Sequence, residues 1–243
     1  MPLTLPNIAQ SALLLDLDGT LLDIAPTPDS VVVPPGLIQT LQRLRALTHD
    51  ALAIITGRPI DQVDALLPGI PFAVAGEHGG TVRSTPGAEI IRPPLPDPPV
   101  EWFAEAARMV DRHPGALLER KQRGFVVHYR NAPEAGPQLH EDVVALIAPH
   151  ASRFQLLPAL MAWEVRPRGV DKGVAVQALM TNTPFASRTP IFVGDDITDE
   201  DGMAAARQLG GAGLRIDMAF GTAANFRAWL SQAATSGTWP PFT

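Results

Sequence analysis

The 243-residue chain contains no cysteine. Disulfides, zinc–thiolate centres and cysteine nucleophiles are therefore excluded. Lysine is nearly as scarce: of 19 basic residues only Lys121 and Lys172 are lysine. In a chain that writes almost every positive charge as arginine, the two ammonium groups fell there by chance or mark places that need a compact charge. Charged residues make up only 18% of the chain, against about a quarter in an average domain. Their balance is negative, −6 at neutral pH, which argues against a nucleic-acid or anionic-membrane surface. The opening Met1-Pro2-Leu3-Thr4-Leu5-Pro6 has no cationic stretch, and no apolar run approaches a membrane span. A cytoplasmic protein is expected, monomeric and without nucleic-acid or membrane partners.

What is present is a large apolar fraction, 46%, enough for a real core, together with 25 prolines, about twice average usage. No internal repeat, heptad or low-complexity tract is found. Ala12 to Leu15 reads as a buried strand, Pro35 to Leu47 as a helix with one apolar stripe, and Ala51 to Ile55 as a second buried strand. A helix over Pro59 to Leu67 and an apolar strand over Phe72 to Ala75 follow. Strands alternating with helices imply a mostly parallel sheet. Gly79 to Arg92 looks like a small hairpin turning at Thr85-Pro86-Gly87, and the proline-rich stretch Pro93 to Pro99 reads as a linker.

Beyond that linker the pattern changes to αββαββ. It has helices near 100–112 and 137–147 and strands near 117–121, 126–130, 154–157 and 161–166. Phe125, Val127, Tyr129, Met161, Trp163 and Val165 alternate with His128, Arg130, Glu164 and Arg166, so one face should pack on the helices. The other face either meets water or closes over a hydrophilic substrate. The first pattern resumes after Pro167-Arg168-Gly169: Asp171-Lys172-Gly173 precedes a helix over 174–180, and Ile191-Phe192-Val193 is a buried strand. Helices over 201–209 and 222–230 flank a strand over 214–216, and the tail from Ser231 is expected to be poorly ordered. The fold expected is α/β: a Rossmann-like core in two parts, 1–97 and 168–243, with an α+β cap inserted at 98–167.

Three strand ends carry polar groups suited to one site. The first strand ends in Asp16-Leu17-Asp18-Gly19-Thr20, the second in Thr56-Gly57-Arg58, and the later one in Gly194-Asp195-Asp196-Ile197-Thr198-Asp199. Open α/β sheets bind ligands at such carboxyl ends. A plain Asp-Gly turn after a core strand would look the same in isolation. Chemically, Asp16 can attack phosphorus and become an aspartyl-phosphate, while Asp18 protonates the leaving oxygen and later deprotonates water. Clustered carboxylates need a cation among them, and all-oxygen ligation suits Mg2+. Thr56 and the N–H groups near Gly57 can hold phosphate oxygens, and Lys172 can neutralise phosphate and nucleophile. A calcium loop fails on spacing, since counting back from Gly202 puts Ile197 at the first ligand position. A solvated acidic helix start is the weaker alternative.

In this order and spacing the motifs resemble the haloacid dehalogenase superfamily of phosphohydrolases. Gly76-Glu77-His78-Gly79, Glu119-Arg120-Lys121, His128-Tyr129-Arg130 and Trp163-Glu164-Val165-Arg166-Pro167 extend the likeness, from about residue 10 to 232, to the trehalose-6-phosphate phosphatase family. That resemblance implies a Mg2+-dependent sugar-phosphate phosphatase of trehalose biosynthesis. It implies Asp16 as nucleophile and metal ligand, Asp18 as acid/base with its carbonyl on the metal, and Lys172 on nucleophile and phosphate. Asp195 and Asp199 would serve the metal, Thr56, Gly57 and Arg58 the phosphate, and Lys121, His128, Arg130 and Glu164 the sugar. One departure stands out: the family usually carries a lysine four residues before the cap glutamate, where this chain has Leu160. Another sugar phosphate such as sucrose 6-phosphate is the alternative substrate. A phospho-accepting signalling domain is the alternative class, but it has no use for Asp18.

Overall fold

A computed structural model of the chain describes residues 4–27, 30–69, 73–85 and 88–242. In chain order the elements are β1 (Ser11–Leu15), α1 (Leu37–Leu47), β2 (Leu52–Ile55), α2 (Ile60–Leu66), β3 (Ala73–Gly76) and β4 (Thr81–Arg83). Next come α3 (Glu101–Asp111), β5 (Leu117–Lys121), β6 (Gly124–His128), α4 (Gly136–Ile147), β7 (Phe154–Ala159) and β8 (Ala162–Pro167). The chain finishes with α5 (Lys172–Met180), β9 (Thr189–Gly194), α6 (Glu200–Gln208), β10 (Ala212–Arg215), α7 (Ile216–Ala219) and α8 (Ala223–Ser236). It forms two compact units, Met1–Arg92 with Asp171–Thr243, and Pro93–Val170.

The first unit is a six-stranded sheet in the order β10-β9-β1-β2-β3-β4, parallel throughout except for β4. Its strands are near-continuous apolar runs because both faces are covered. Leu13, Leu15, Leu52, Ile54 and Val193 pack with Leu41 and Leu44 of α1 and Phe226 and Leu230 of α8. Leu14, Ala53, Ile55 and Phe192 face the other way, onto Val176 and Leu179 of α5 and Met203 and Ala206 of α6. The three leucines of β1 are fully buried. At roughly 1.5–3 kcal/mol per side chain, they anchor the strand firmly enough to carry an electrostatically costly tip.

The second unit is a four-stranded antiparallel sheet in the order β5-β6-β8-β7. Phe125, Val127 and Val165 on one face pack against Trp102 and Met109 of α3 and Leu139 and Val143 of α4. Among the described residues no helix is long and apolar enough to cross a membrane.

Three expectations need correction and one is extended: among the described residues the hairpin over 79–92 is closed by the antiparallel bridge Val82–Ile91, and its first arm, β4, also adds antiparallel to β3. Phe72 and the Pro86-Gly87 of the expected turn lie outside the described residues. α5 begins at Lys172 rather than Val174, because the Asp171 carboxylate accepts the Val174 N–H at 2.8 Å and caps the helix. The strand expected from Met161 begins at Ala162: Leu160 and Met161 form the turn between β7 and β8, with Met161 at φ 53°. The tail is ordered: α8 runs on to Ser236, Trp239 stacks on Trp229 at 5.1 Å and 2°, and the Trp229 indole donates to the Pro240 carbonyl at 3.0 Å. Two indoles stacked face to face outweigh the proline-rich, small-residue composition that suggested disorder.

Candidate active site

β9, β1 and β2 are neighbours and parallel, so their carboxyl ends come out side by side. Leu15 is level with both Ile54 and Val193. The Asp16 N–H still donates to the Val193 carbonyl at 2.9 Å, and the Thr56 N–H to that of Ala75 at 2.9 Å. The next residues along each strand are thus delivered to one edge. The loop after β1 is pinned by fully buried Leu17, Leu21 and Leu22 and by the Gly19 N–H donating to the Leu22 carbonyl at 2.7 Å. Gly19 has φ +85°, and a Cβ there would lie 2.1 Å from a carboxylate oxygen of Asp195. Only glycine fits.

Lys172 is the hub. Its ammonium donates to Asp16 Oδ1 at 2.6 Å and to Asp199 Oδ1 at 2.5 Å, with all three side chains buried. A lysine in the first turn of a helix opposes the helix dipole, so its placement depends on these two acids. Burial pulls the Lys172 pKa down, but Asp16 and Asp199 outweigh it and raise it above the ordinary value. The lysine stays charged. The Asp199 Oδ2 accepts the N–H groups of Asp195 and Asp196 at 3.1 and 3.0 Å. Both oxygens of Asp199 are therefore engaged in fixing Lys172 and the 195–196 turn. Asp196 caps that turn, accepting the Ile197 N–H at 2.7 Å.

Asp16, Asp195 and Asp199 each bring a carboxylate oxygen within 4.8 Å of the others. The three carboxylates have one ammonium among them, and the surplus negative charge shows in the titration of Asp16 and Asp195. Burial, then Asp199, hold the Asp16 carboxyl well above the usual carboxylate range. Burial and Asp199 likewise push Asp195 up to about 6, against the pull of the Thr20 hydroxyl that donates to it at 3.1 Å. An acidic cluster of hard oxygen donors lacking counter-charge fits a divalent cation.

At the outer side of this edge, both oxygens of Asp18 accept from Arg58, Nε and Nη2 each at 2.7 Å. Such a fork is the strong form of carboxylate recognition. Arg58 was expected at the substrate; the structure places it on Asp18. Thr56 is buried, and its hydroxyl accepts the Arg58 N–H at 3.2 Å.

In the second unit, strand register puts Glu119, Lys121, His128, Glu164 and Arg166 on the sheet face opposite α3 and α4. The Lys121 ammonium and a His128 ring nitrogen meet Glu119 at 2.5 and 2.9 Å. Burial pushes Glu119 up, but these two partners outweigh it and hold it down at about 2. Glu164 is buried on this face, and Arg130 is exposed just beyond the end of β6. Glu119 was not among the expected site residues. Alternation from Lys121, two positions on, would have found it.

A profile of the trehalose-phosphatase family matches residues 14–229. The chain belongs to the trehalose-phosphatase family. A trehalose-6-phosphate phosphatase of Escherichia coli K12 is 39% identical over 227 residues, covering 91% of this chain and 81% of that protein. A trehalose-phosphate phosphatase of Mycobacterium tuberculosis H37Rv is 34% identical over 206 residues, covering 79% of this chain and 50% of that one. The solved C-terminal domain of a Candida albicans trehalose-6-phosphate phosphatase shares the fold, with a TM-score of 0.77 at 19% identity over 93% of this chain and 92% of that one. In this trehalose-phosphatase family member the profile spans every strand end of the acidic edge.

The raised acids predict how cation binding depends on pH. In the cation-free protein Asp195 binds its proton more tightly than an unfolded carboxyl near 3.8. Stability from this group is therefore present below about 4 and lost as pH rises through about 6. A cation competes with those protons, so its affinity is expected to rise between pH 5 and 7 and its binding to release protons. Calorimetry in buffers of different ionisation enthalpy measures both quantities. An affinity independent of pH over that range would remove the cation from this cluster.

Proposed function

We propose that the chain hydrolyses trehalose 6-phosphate to trehalose and phosphate, with Mg2+ as the cation and an aspartyl-phosphate formed on Asp16. The observation that carries this reading is the buried Lys172–Asp16 pair at the tip of the central strand, two residues before Asp18, in a member of this family. Lys172 favours the anionic form of Asp16 and holds its Oδ1, which leaves Oδ2 as the attacking atom once a cation adds its charge. Attack by that oxygen on phosphorus breaks the bond to the sugar oxygen, which takes a proton from Asp18 and leaves as a hydroxyl; the Asp18 carboxylate then takes a proton from the water that cleaves the acyl phosphate. A phosphoryl group arriving at Arg58 offers its guanidinium an alternative anion and releases Asp18 to face the leaving oxygen. Held by Asp16, Asp195 and the Asp18 carbonyl, Mg2+ would supply charge to offset that of the phosphoryl group.

The test is phosphate release over a panel of sugar phosphates with Mg2+ and with chelator, trehalose 6-phosphate and sucrose 6-phosphate included. A preference for trehalose 6-phosphate, lost in chelator, is expected. Faster turnover of another member of the panel would reassign the substrate, and no turnover of any would return the chain to the signalling class.

Recognition of the sugar is assigned to the polar face of the second unit. A buried polar partner deprived of its hydrogen bond costs about 1–3 kcal/mol, roughly a 5- to 150-fold loss in rate. Glu164→Ala and Arg130→Ala are expected to lower kcat/KM for trehalose 6-phosphate by such a factor. A small aryl phosphate that presents no sugar should be affected about threefold or less. Equal losses on both substrates would make this face structural.

A further inference from the structure

Glu77 and His78 follow β3 with φ of 51° and 58°, two consecutive non-glycine residues in the left-handed region. Each such residue stores roughly 1–3 kcal/mol and persists only where its surroundings dictate it. The surroundings here are the loop after β2. The Glu77 N–H donates to the Arg58 carbonyl at 3.0 Å, and the His78 N–H to the Thr56 carbonyl at 2.8 Å. Together with the Thr56 N–H on the Ala75 carbonyl, these bonds zip the two loops together on both sides of Gly57. The buried His78 ring lies against Gly57, where an added Cβ would sit 2.7 Å from Nε2 and 2.9 Å from Cε1. The strained turn thus uses its main chain to grip Thr56 and Arg58 and its ring to back Gly57 between them.

We propose that His78 is a positioning residue: its ring sets the path of the Thr56-Gly57-Arg58 main chain and so the aim of the groups that receive the phosphoryl oxygens. The inference rests on the phosphatase reading, but not on which sugar phosphate is the substrate. Loss of the ring lets Gly57 relax toward the space it leaves. Displacements near 1 Å in such a site cost up to about 100-fold.

The test uses His78→Asn, because Asn tolerates a positive φ, and Gly57→Ala, alone and combined with it. His78→Asn is expected to lower kcat/KM about 10- to 100-fold, in parallel for trehalose 6-phosphate and a small aryl phosphate. Inhibition by inorganic phosphate should weaken by a similar factor, while the Mg2+ concentration for half-maximal activity stays unchanged. Gly57→Ala drives a methyl into the ring and loses activity; the double variant, with the ring gone, regains part of it. A packing role alone would lower the melting temperature and leave phosphate inhibition per folded molecule as in the wild type. Phosphate inhibition within twofold of wild type, or strictly additive losses in the double variant, overturns the proposal. Should His78→Asn not fold, unchanged phosphate inhibition in Gly57→Ala overturns it as well. If trehalose 6-phosphate is the wrong substrate, the wild type fails on it while the aryl phosphate still reports on His78.

Discussion

Asp16→Asn is expected to abolish turnover, by on the order of 10⁴-fold or more, while the melting temperature holds or rises. The two halves of that result come from the same geometry. A carboxamide at this position cannot form an acyl phosphate, so the covalent route closes. The substitution also removes one of the two carboxylates that contact the Lys172 ammonium in a cluster of three acids, and with it part of the surplus of negative charge there. A variant inactive yet at least as stable as the wild type marks a residue kept for chemistry rather than for folding. Activity with trehalose 6-phosphate and thermal denaturation on one preparation, with deamidation excluded by mass, measure both. Wild-type rates would sink the assignment of Asp16 as nucleophile.

Lys172→Met shows the reverse combination. Removing the ammonium leaves Asp16 and Asp199 buried with no cationic partner, and breaking a buried pair in this way costs about 3–5 kcal/mol. Activity is lost too, because the nucleophile loses the charge that orients it. The destabilisation depends on pH in a definite direction. Below the raised range where Asp16 titrates, that carboxyl is protonated and needs no partner, so the gap between wild type and variant narrows; as pH rises it widens. Added divalent cation restores part of the loss by replacing the missing charge. Melting curves of the two proteins from pH 4 to 8, with and without Mg2+, give the comparison. A gap that does not change with pH would mean that Lys172 stabilises through its methylene stem, not its charge.

Much of this was legible in the sequence because it is written in short-range patterns. An apolar run ending in Asp16-Leu17-Asp18-Gly19 says where a strand stops and what it carries. Three such ends meet because βαβ connections force their strands parallel. The scarcity of lysine pointed to Lys121 and Lys172, and the structure puts both in direct contact with acids. What stayed hidden depends on side-chain direction and on contacts between distant segments. No spacing rule says that Arg58 turns its fork onto Asp18. No composition says that Trp239 finds Trp229. Positive φ at Glu77 and His78 has no signature in residue types that occur in any loop. Met161 shows how a two-residue turn defeats strand alternation: the rule holds along β8 and stops where the strand does.

The central position of β1 has a consequence for synthesis. Leu13 pairs with Leu52 on one side and with Ile191 on the other. Its first neighbour leaves the ribosome soon after it, but its second arrives only after the whole of Pro93–Val170. At equilibrium that interruption costs little, since loop-closure entropy grows by only about 0.6 kcal/mol per doubling of length. During synthesis it leaves one flank of Ser-Ala-Leu-Leu-Leu, a short, uncharged and strongly apolar segment, without a hydrogen-bonding neighbour. The nascent chain therefore carries this apolar edge open until β9 docks. The docking that satisfies this edge is also the event that brings Asp195 beside Asp16.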